Sequence, residues 1–282
     1  MRGHAAILAV TLLLFGAGTA AAAPHDPPAP ATAQHGSERE PAPMARLRLE
    51  PFEDGLLAWA ENTLAGPIEV MLHADGAPVT ARPALPARST IPAHGRVLVA
   101  HIESAGTHGA RFRLEAVPGH PSVRHREVEY AWPLAGVPLR ITQGWGGTFS
   151  HAYPDNRHAV DFAVAVGVPV LAARDGTVMQ VESGFSAAAV DRHFGGQANH
   201  VRILHDDGTM ALYAHLDANG VFVRPGQRVR RGQRLGLSGN TGFSTGPHLH
   251  FVIQANRGMR LESLPFRMFG PGGILRFHDP TP

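Results

Sequence analysis

Cysteine is absent from the 282-residue sequence, so neither disulfide bonds nor a thiolate metal site can form. Any metal ion must therefore be bound by histidine, aspartate or glutamate. Lysine is absent as well, and the 25 basic residues, all arginine, are balanced against 23 acidic residues. The formal charge of +2 is too small to indicate nucleic-acid binding, and no basic run is interleaved with aromatic residues. The sequence therefore predicts no nucleic-acid partner.

Residues 1–23 have the layout of a secretory signal peptide. Arg2 precedes an apolar run from Ala5 to Phe15, and small residues follow this run. The run is too short for a secure membrane span, so no stable membrane anchor is expected. Residues 24–43 are rich in proline and alanine, have little capacity to pack a core and predict a disordered tether. A periplasmic or secreted location follows from this layout.

The rest of the sequence predicts short strands rather than helices. Residues 44–125 contain strand-like runs separated by turn dipeptides such as Asp75-Gly76, which predicts an antiparallel β-sandwich serving as an accessory domain. Residues 130–270 continue with short strands and frequent glycine turns, a pattern typical of a second antiparallel sheet. Residues 271–282 predict a tail. The expected fold class is therefore mainly β, with the sandwich on the amino-terminal side.

Two histidines enter an apolar strand directly after a glycine-rich turn. Residues 239–251 read GNTGFSTGPHLHF, in which His248 and His250 are two positions apart. Successive side chains of a strand alternate between its faces, so these two imidazoles project to the same side. Neutral imidazole is a common zinc ligand and the usual acid or base near neutral pH. The pair indicates a metal site with a catalytic neighbour, the alternative being strand histidines that only form hydrogen bonds.

Three further ionisable residues occur upstream of this pair. Asp161 and His215 lie among apolar residues in segments that read as strands, and His151 precedes them. Burying such groups is unfavourable unless they are paired or coordinated. Two histidines and one aspartate around Zn²⁺ would leave a fourth coordination position open, as in catalytic rather than structural zinc sites.

These motifs, in this order, resemble the M23 peptidases, which are also called lysostaphin-like or LytM-type zinc endopeptidases. The resemblance rests on His151, Asp161, the Tyr-Ala-His-Leu of residues 213–216, the Gly-Asn-Thr-Gly of residues 239–242 and the His-Leu-His-Phe of residues 248–251. It covers about residues 138–265 and is specific, because several separated motifs occur in the family's order. Members of the family cut peptide cross-links in bacterial cell walls. The resemblance therefore implies a zinc-dependent endopeptidase whose substrate is a peptidoglycan peptide, carried on an antiparallel-sheet peptidase domain.

The resemblance also implies a role for five residues. It places His151, Asp161 and His250 as the protein ligands of Zn²⁺. It places His215 and His248 as catalytic histidines beside the metal. We expect all five side chains to converge in one groove on the open face of the predicted sheet.

The spacing before Asp161 departs from the commonest family pattern. Many members have the first metal histidine four residues before the aspartate, whereas His158 lies three residues before Asp161. An odd offset in a regular strand points two side chains to opposite faces, so these two would converge only at a bulge. His151, ten residues before Asp161, resembles one branch of the family in which a loop separates the two ligands. His151 is therefore the predicted ligand and His158 the alternative.

The sequence leaves two questions open: which of two functions the protein has, and what role Trp145 plays. The alternative function is a catalytically silent M23-like module that binds and activates another cell-wall hydrolase. The presence of an acceptable residue at all five site positions favours the enzyme. Trp145, in a glycine-rich loop, is expected either to contact a peptide substrate or to pack locally.

Overall fold

A computed structural model of the protein describes residues 40–103, 109–270, 272–275 and 277. The predicted signal peptide and nearly all of the predicted tether lie outside the described residues, as does part of the predicted tail. Within the described part of the chain, no helix is both long and apolar enough to cross a membrane. The expectation of a mainly β fold with antiparallel sheets is confirmed, because the described elements are almost entirely strands and most of them pair antiparallel.

The strands follow one another in two groups along the chain. The amino-terminal group is β1 (Ala45–Phe52), β2 (Gly55–Asn62), β3 (Ile68–Gly76), β4 (Ala81–Arg82), β5 (Ala87–Ile91), β6 (Arg96–Glu103) and β7 (Ala110–Pro118). The second group begins with β8 (Glu129–Ala131), β9 (Ile141–Gln143), β10 (Val160–Ala163), β11 (Pro169–Leu171), β12 (Gly176–Glu182), β13 (Ala188–Ala189), a 3₁₀ helix (Arg192–Gly196), β14 (His200–Leu204) and β15 (Met210–Ala214). It ends with β16 (Leu216–Val221), β17 (Arg228–Val229), β18 (Arg234–Ser238), β19 (Gly242–Phe243), β20 (His248–Asn256), β21 (Leu261–Ser263), β22 (Arg267–Gly270) and β23 (Gly273–Ile274).

The amino-terminal strands form two antiparallel sheets. One has the order β1-β2-β6-β4 and the other the order β5-β3-β7. Exposure alternates along strands such as β7 because successive side chains point to opposite faces of the sheet. Buried residues from both sheets, including Ala60, Ile68, Ile91 and Ile102, belong to one hydrophobic cluster. The two sheets therefore share one core.

The main sheet of the second group has an apolar face and a polar face. Its antiparallel order is β17-β12-β14-β15-β20-β10-β9, and β21 pairs with β20. The buried rings of Phe162, Tyr213 and Phe251 lie on the core side. Asp161 precedes Phe162 and His250 precedes Phe251, so both ionisable side chains face the opposite side. The sheet thus packs its aromatic residues into the core and carries its polar residues on the other face.

A buried carboxylate connects the amino-terminal sheets to the main sheet. Glu69, in β3, is 1% exposed and forms an ion pair with Arg88. It also accepts hydrogen bonds from Asn256 Nδ2 at 3.0 Å and from the Met259 backbone N–H at 2.7 Å. Asn256 is the last residue of β20, the strand that also carries His250. Glu69 therefore links the amino-terminal part of the chain to the strand of the predicted site.

Replacing Glu69 with alanine should lower the free energy of unfolding by about 2–3 kcal/mol, because one buried donor and one partly buried donor lose their acceptor. Chemical denaturation measures this change. Glu50→Ala is the matched control: Glu50 also pairs with an arginine, at 3.0 Å from Arg96, but its side chain is 42% exposed. That exposed pair should contribute less than about 1 kcal/mol. Equal losses in the two variants would contradict the role of Glu69 as a buried link.

Candidate active site

Strand register brings Asp161 and His250 together on the polar face of the main sheet. Asp161 lies directly opposite His250 in the pairing of β10 with β20. On the other side of β20, Ala214 at the end of β15 is the partner of His250, and its small side chain leaves room above the sheet. The Nδ1 atom of His250 lies 2.9 Å from Oδ1 of Asp161. The pairing of two distant strands thus creates the first half of the cluster.

His151 reaches the same point from the loop between β9 and β10. It is fully buried, and its backbone N–H donates to the Gly147 carbonyl at 3.0 Å. Its Nδ1 donates to the Gly144 carbonyl at 2.7 Å. A carbonyl oxygen can only accept, so Nδ1 carries a proton, and in the uncharged ring Nε2 has the lone pair. That Nε2 atom lies 3.3 Å from Asp161 Oδ1.

The cluster combines an ionised carboxylate with an uncharged imidazole. Burial raises the pKa of Asp161, but the neighbouring imidazoles of His151 and His250 outweigh burial and hold this pKa well below its usual range. Burial also lowers the pKa of His250, in spite of the nearby Asp161 carboxylate. At neutral pH Asp161 is therefore an anion and His250 is uncharged.

The three side chains fit a zinc ion. Their donor atoms lie within 4.8 Å of one another, and ligand atoms about 2.0–2.1 Å from a tetrahedral zinc lie about 3.3 Å apart. Uncharged His250 has one ring proton, yet Nδ1 faces Asp161 Oδ1 and Nε2 faces Asn156 Oδ1 at 3.2 Å. When that proton is on Nε2, as metal binding through Nδ1 requires, the Nδ1 lone pair points at the carboxylate. A cation between these two acceptors would make the contact favourable.

Two further histidines lie beside the cluster. His215 follows β15 with a φ of 61°, a left-handed conformation that is uncommon for a residue other than glycine. Its Nδ1 donates to the Thr241 carbonyl at 2.7 Å, which leaves Nε2 unprotonated. Burial, followed by the neighbouring His248 and His250, lowers the pKa of His215 to about 3. The turn at His215 thus places an uncharged imidazole next to the cluster.

His248 lies two positions before His250 in β20 and shares its face. Its Nδ1 donates to the Gly246 carbonyl at 2.8 Å, and its Nε2 lies 3.7 Å from Asp161 Oδ1. The rings of His215 and His248 are 4.4 Å apart between centroids. Both imidazoles are therefore oriented by backbone carbonyls.

The structure brings together the five predicted site residues and places His158 elsewhere. The Nδ1 atom of His158 donates to the Ser263 carbonyl at 3.0 Å, and its ring meets Trp145 edge-on at 5.2 Å. Trp145 in turn packs against Phe266 at 5.7 Å. Trp145 therefore packs locally. His158 packs against Trp145 and is not part of the His-Asp-His cluster.

Sequence reasoning missed two amides that hold the cluster in place. Gln143 Nε2 donates to Asp161 Oδ2 at 3.1 Å, the oxygen that does not face the imidazoles. Asn156 faces Nε2 of His250, as described above. Gln143 is the register partner of Asp161 in the pairing of β9 with β10, so only the register identifies it. No local motif marks either amide.

Four of the five residues, all except the fully buried His151, line an open groove of about 560 Å³. Its rim includes Phe149 and Phe243, whose rings stack with centroids 5.3 Å apart, and Phe149 is 46% exposed. The Arg192 guanidinium lies 5.9 Å from the centroid of the Phe243 ring. From the cluster the groove continues along the sheet to Arg202 and Gln254. An open groove with an aromatic rim can admit an extended chain.

A buried His-Asp-His cluster with two adjacent histidines beside an open groove suits the chemistry of a metal-dependent hydrolase. Residues 155–261 match the sequence model of peptidase family M23. The chain therefore carries a peptidase family M23 domain. The match includes four of the five residues described above, and His151 lies just before it.

Two relatives illustrate this similarity. The peptidoglycan DD-endopeptidase ShyA of Vibrio cholerae is 42% identical over 96 residues, which are 34% of this chain and 20% of that protein. The glycyl-glycine endopeptidase ALE-1 of Staphylococcus capitis is 41% identical over 102 residues, 36% of this chain and 25% of that protein. The chain thus spans a quarter or less of the length of these curated relatives.

Solved structures with related sequences include a lysostaphin domain. The catalytic domain of the antimicrobial peptidase lysostaphin from Staphylococcus simulans is 33% identical to this chain. The comparison covers 42% of this chain and 81% of that domain, with a TM-score of 0.32.

Proposed function

We propose that the protein is a zinc-dependent endopeptidase that hydrolyses peptide cross-links of bacterial peptidoglycan. The observation that carries the proposal is the convergence of His151, Asp161 and His250 beside His215 and His248, next to a groove that all of them except His151 line. The relatives named as peptidoglycan and glycyl-glycine endopeptidases support the class of substrate. The proposal includes a periplasmic or secreted location, because the cell wall lies outside the cytoplasm.

The proposed mechanism assigns each side chain one task. Nε2 of His151, Oδ1 of Asp161 and Nδ1 of His250 would hold the Zn²⁺ ion. When bound, Zn²⁺ supplies a Lewis acid that activates water and polarises the scissile carbonyl. His215 and His248 present their Nε2 atoms to the groove, take up the proton of the attacking water and return a proton to the leaving amine.

The amides of Gln143 and Asn156 orient two of the proposed metal ligands. Gln143 fixes the carboxylate plane of Asp161 through Oδ2, and Asn156 orients the ring of His250 through Nε2. Such partners hold metal ligands in the geometry that the metal requires.

The amino-terminal part of the chain, proposed as an accessory domain of residues 44–125, supports this site from outside the groove. Glu69 binds Asn256 at the end of β20, whereas His248 and His250 lie at its start. A catalytically silent module that activates another wall hydrolase is the alternative, and the occupation of all five site positions favours the enzyme over it.

The proposal predicts that the zinc-loaded protein releases soluble peptides from purified peptidoglycan, which mass spectrometry detects. Removing the metal with a chelator should abolish release, and adding Zn²⁺ back should restore it, because the ion activates the water. Stimulation of a second purified wall hydrolase, without release by the zinc-loaded protein alone, would overturn the proposal in favour of the activator.

A further inference from the structure

Arg202 is a buried cation on the polar face of the main sheet. It lies in β14, is 7% exposed and lines the groove that contains the His-Asp-His cluster. Its Nε donates to Gln180 Oε1 at 3.2 Å and its Nη1 donates to Gln254 Oε1 at 2.5 Å. Both partners are uncharged amides. A guanidinium has five N–H donors, so within the described residues three of them are left for another acceptor.

The charge of Arg202 is not neutralised by an ion pair. Among the residues that the structure describes, no carboxylate oxygen lies within 4.0 Å of its nitrogens. Burial lowers the pKa of Arg202 to about 10, although the charge of Asp155 acts in the opposite direction. The guanidinium is therefore still a cation at pH 7. A buried charge without a counter-ion is unfavourable for folding, and a ligand that supplies the counter-ion would relieve this.

Gln254 holds the guanidinium at a fixed place in the groove. Its Oε1 accepts from Arg202 and its Nε2 donates to the Asp155 carbonyl at 2.9 Å, so both ends of the amide are engaged. His250 and Gln254 are four positions apart on one face of β20. At 3.3 Å per residue this separation is about 13 Å. Arg202 thus lies along the groove from the cluster, at a distance that an extended peptide covers in about four residues.

We propose that Arg202 is a specificity-determining residue that binds a free carboxylate of the peptide substrate away from the scissile bond. The planar fork of arginine pairs with a carboxylate through two parallel hydrogen bonds. The N–H groups of Arg202 that are left for another acceptor are enough to form both bonds. This inference rests on the proposed endopeptidase function for its substrate class. It adds that the preferred peptide is acidic and that amidation of the recognised carboxylate weakens binding.

The test is a binding experiment that needs no turnover. Zinc-loaded His215→Asn protein is titrated calorimetrically with synthetic cross-linked stem peptides that are identical except that one carboxylate at a time is replaced by a carboxamide. For one such pair the carboxylate peptide should bind about 10- to 100-fold more tightly, the range for a charge-assisted hydrogen bond. Adding Arg202→Gln should abolish this difference, and Arg202→Lys should retain part of it because lysine keeps the charge without the fork.

A matched control and a stability measurement separate recognition from a structural role. Arg228→Gln removes an exposed arginine of β17 outside the groove and should leave the preference unchanged. Arg202→Gln should leave the melting temperature equal to that of the parent or higher, because it removes an unneutralised buried charge. A large fall in melting temperature together with equally weakened binding of both peptides would overturn the proposal and make Arg202 a structural residue.

Measurements of peptide hydrolysis distinguish a failure of the Arg202 proposal from a failure of the proposed endopeptidase function. In the active protein, Arg202→Gln should raise KM for the carboxylate peptide about 10-fold or more, change kcat little and leave hydrolysis of the amidated peptide unaffected. If the zinc-loaded parent cleaves no peptide, the proposed function fails while the binding comparison still decides the role of Arg202. Cleavage without any preference for the carboxylate would overturn the Arg202 proposal alone.

Discussion

Replacing His250 with alanine should remove both the bound zinc and the peptidase activity. The Nδ1 atom of His250 lies 2.9 Å from Asp161 Oδ1, and its ring centroid is 5.3 Å from that of His151, so the variant loses one of the three proposed protein ligands. Removing a group that merely orients a ligand already lowers metal affinity about 10- to 100-fold. Loss of a ligand should therefore exceed this range. Elemental analysis after dialysis measures the zinc, and peptide release from peptidoglycan measures the activity.

His248→Ala is the matched control, because His248 lies on the same strand and the same face, two positions away. Its Nε2 is 3.7 Å from Asp161 Oδ1, and its proposed task is proton transfer, so this variant should keep most of its zinc while losing activity. Asp161→Asn gives a second ligand variant that keeps the shape of the side chain, and it should lose zinc like His250→Ala. Thermal denaturation verifies that each variant is folded. Equal metal loss in His248→Ala and His250→Ala would contradict the division of roles.

Strand alternation made part of this site predictable from the sequence. The spacing of His248 and His250 sets their common face, and the apolar residues around them predict a buried strand. The absence of cysteine limits a metal site to histidine and carboxylate ligands. These inferences needed only local sequence and elementary strand geometry. The resemblance to the family added the order of the motifs and the five roles.

The remainder of the site depends on contacts between distant segments. Asp161 meets His250 through a strand pairing that no local pattern specifies, and Gln143 is found only from the register of β9 with β10. Arg202 lies between Val201 and Ile203, where alternation predicts an exposed polar residue. The walls of the groove cover that face and bury the charge. A local sequence window contains no information about such a cover.

His215→Asn should lower kcat about 10²- to 10⁴-fold while leaving the zinc content unchanged. Asparagine suits this position because His215 has a φ of 61°, and asparagine tolerates left-handed backbone better than alanine. The variant removes the proposed Nε2 base without forcing the turn after β15 to rearrange. His215 contributes no atom to the His-Asp-His cluster, so metal affinity should not change. Steady-state kinetics on a soluble cross-linked peptide and elemental analysis measure the two effects.

The control for this variant is His193→Ala, because the His193 side chain is 92% exposed and contacts Asp191 rather than the cluster. It should leave both kcat and zinc content at the parent values. Retained activity in His215→Asn would show that His248 alone transfers the proton, and loss of zinc would show that His215 also supports the metal. The expected combination, full zinc with little turnover, arises only if the neutral Nε2 of His215 acts on the reacting groups. The strained turn at His215 would then be retained because it delivers that atom to the groove.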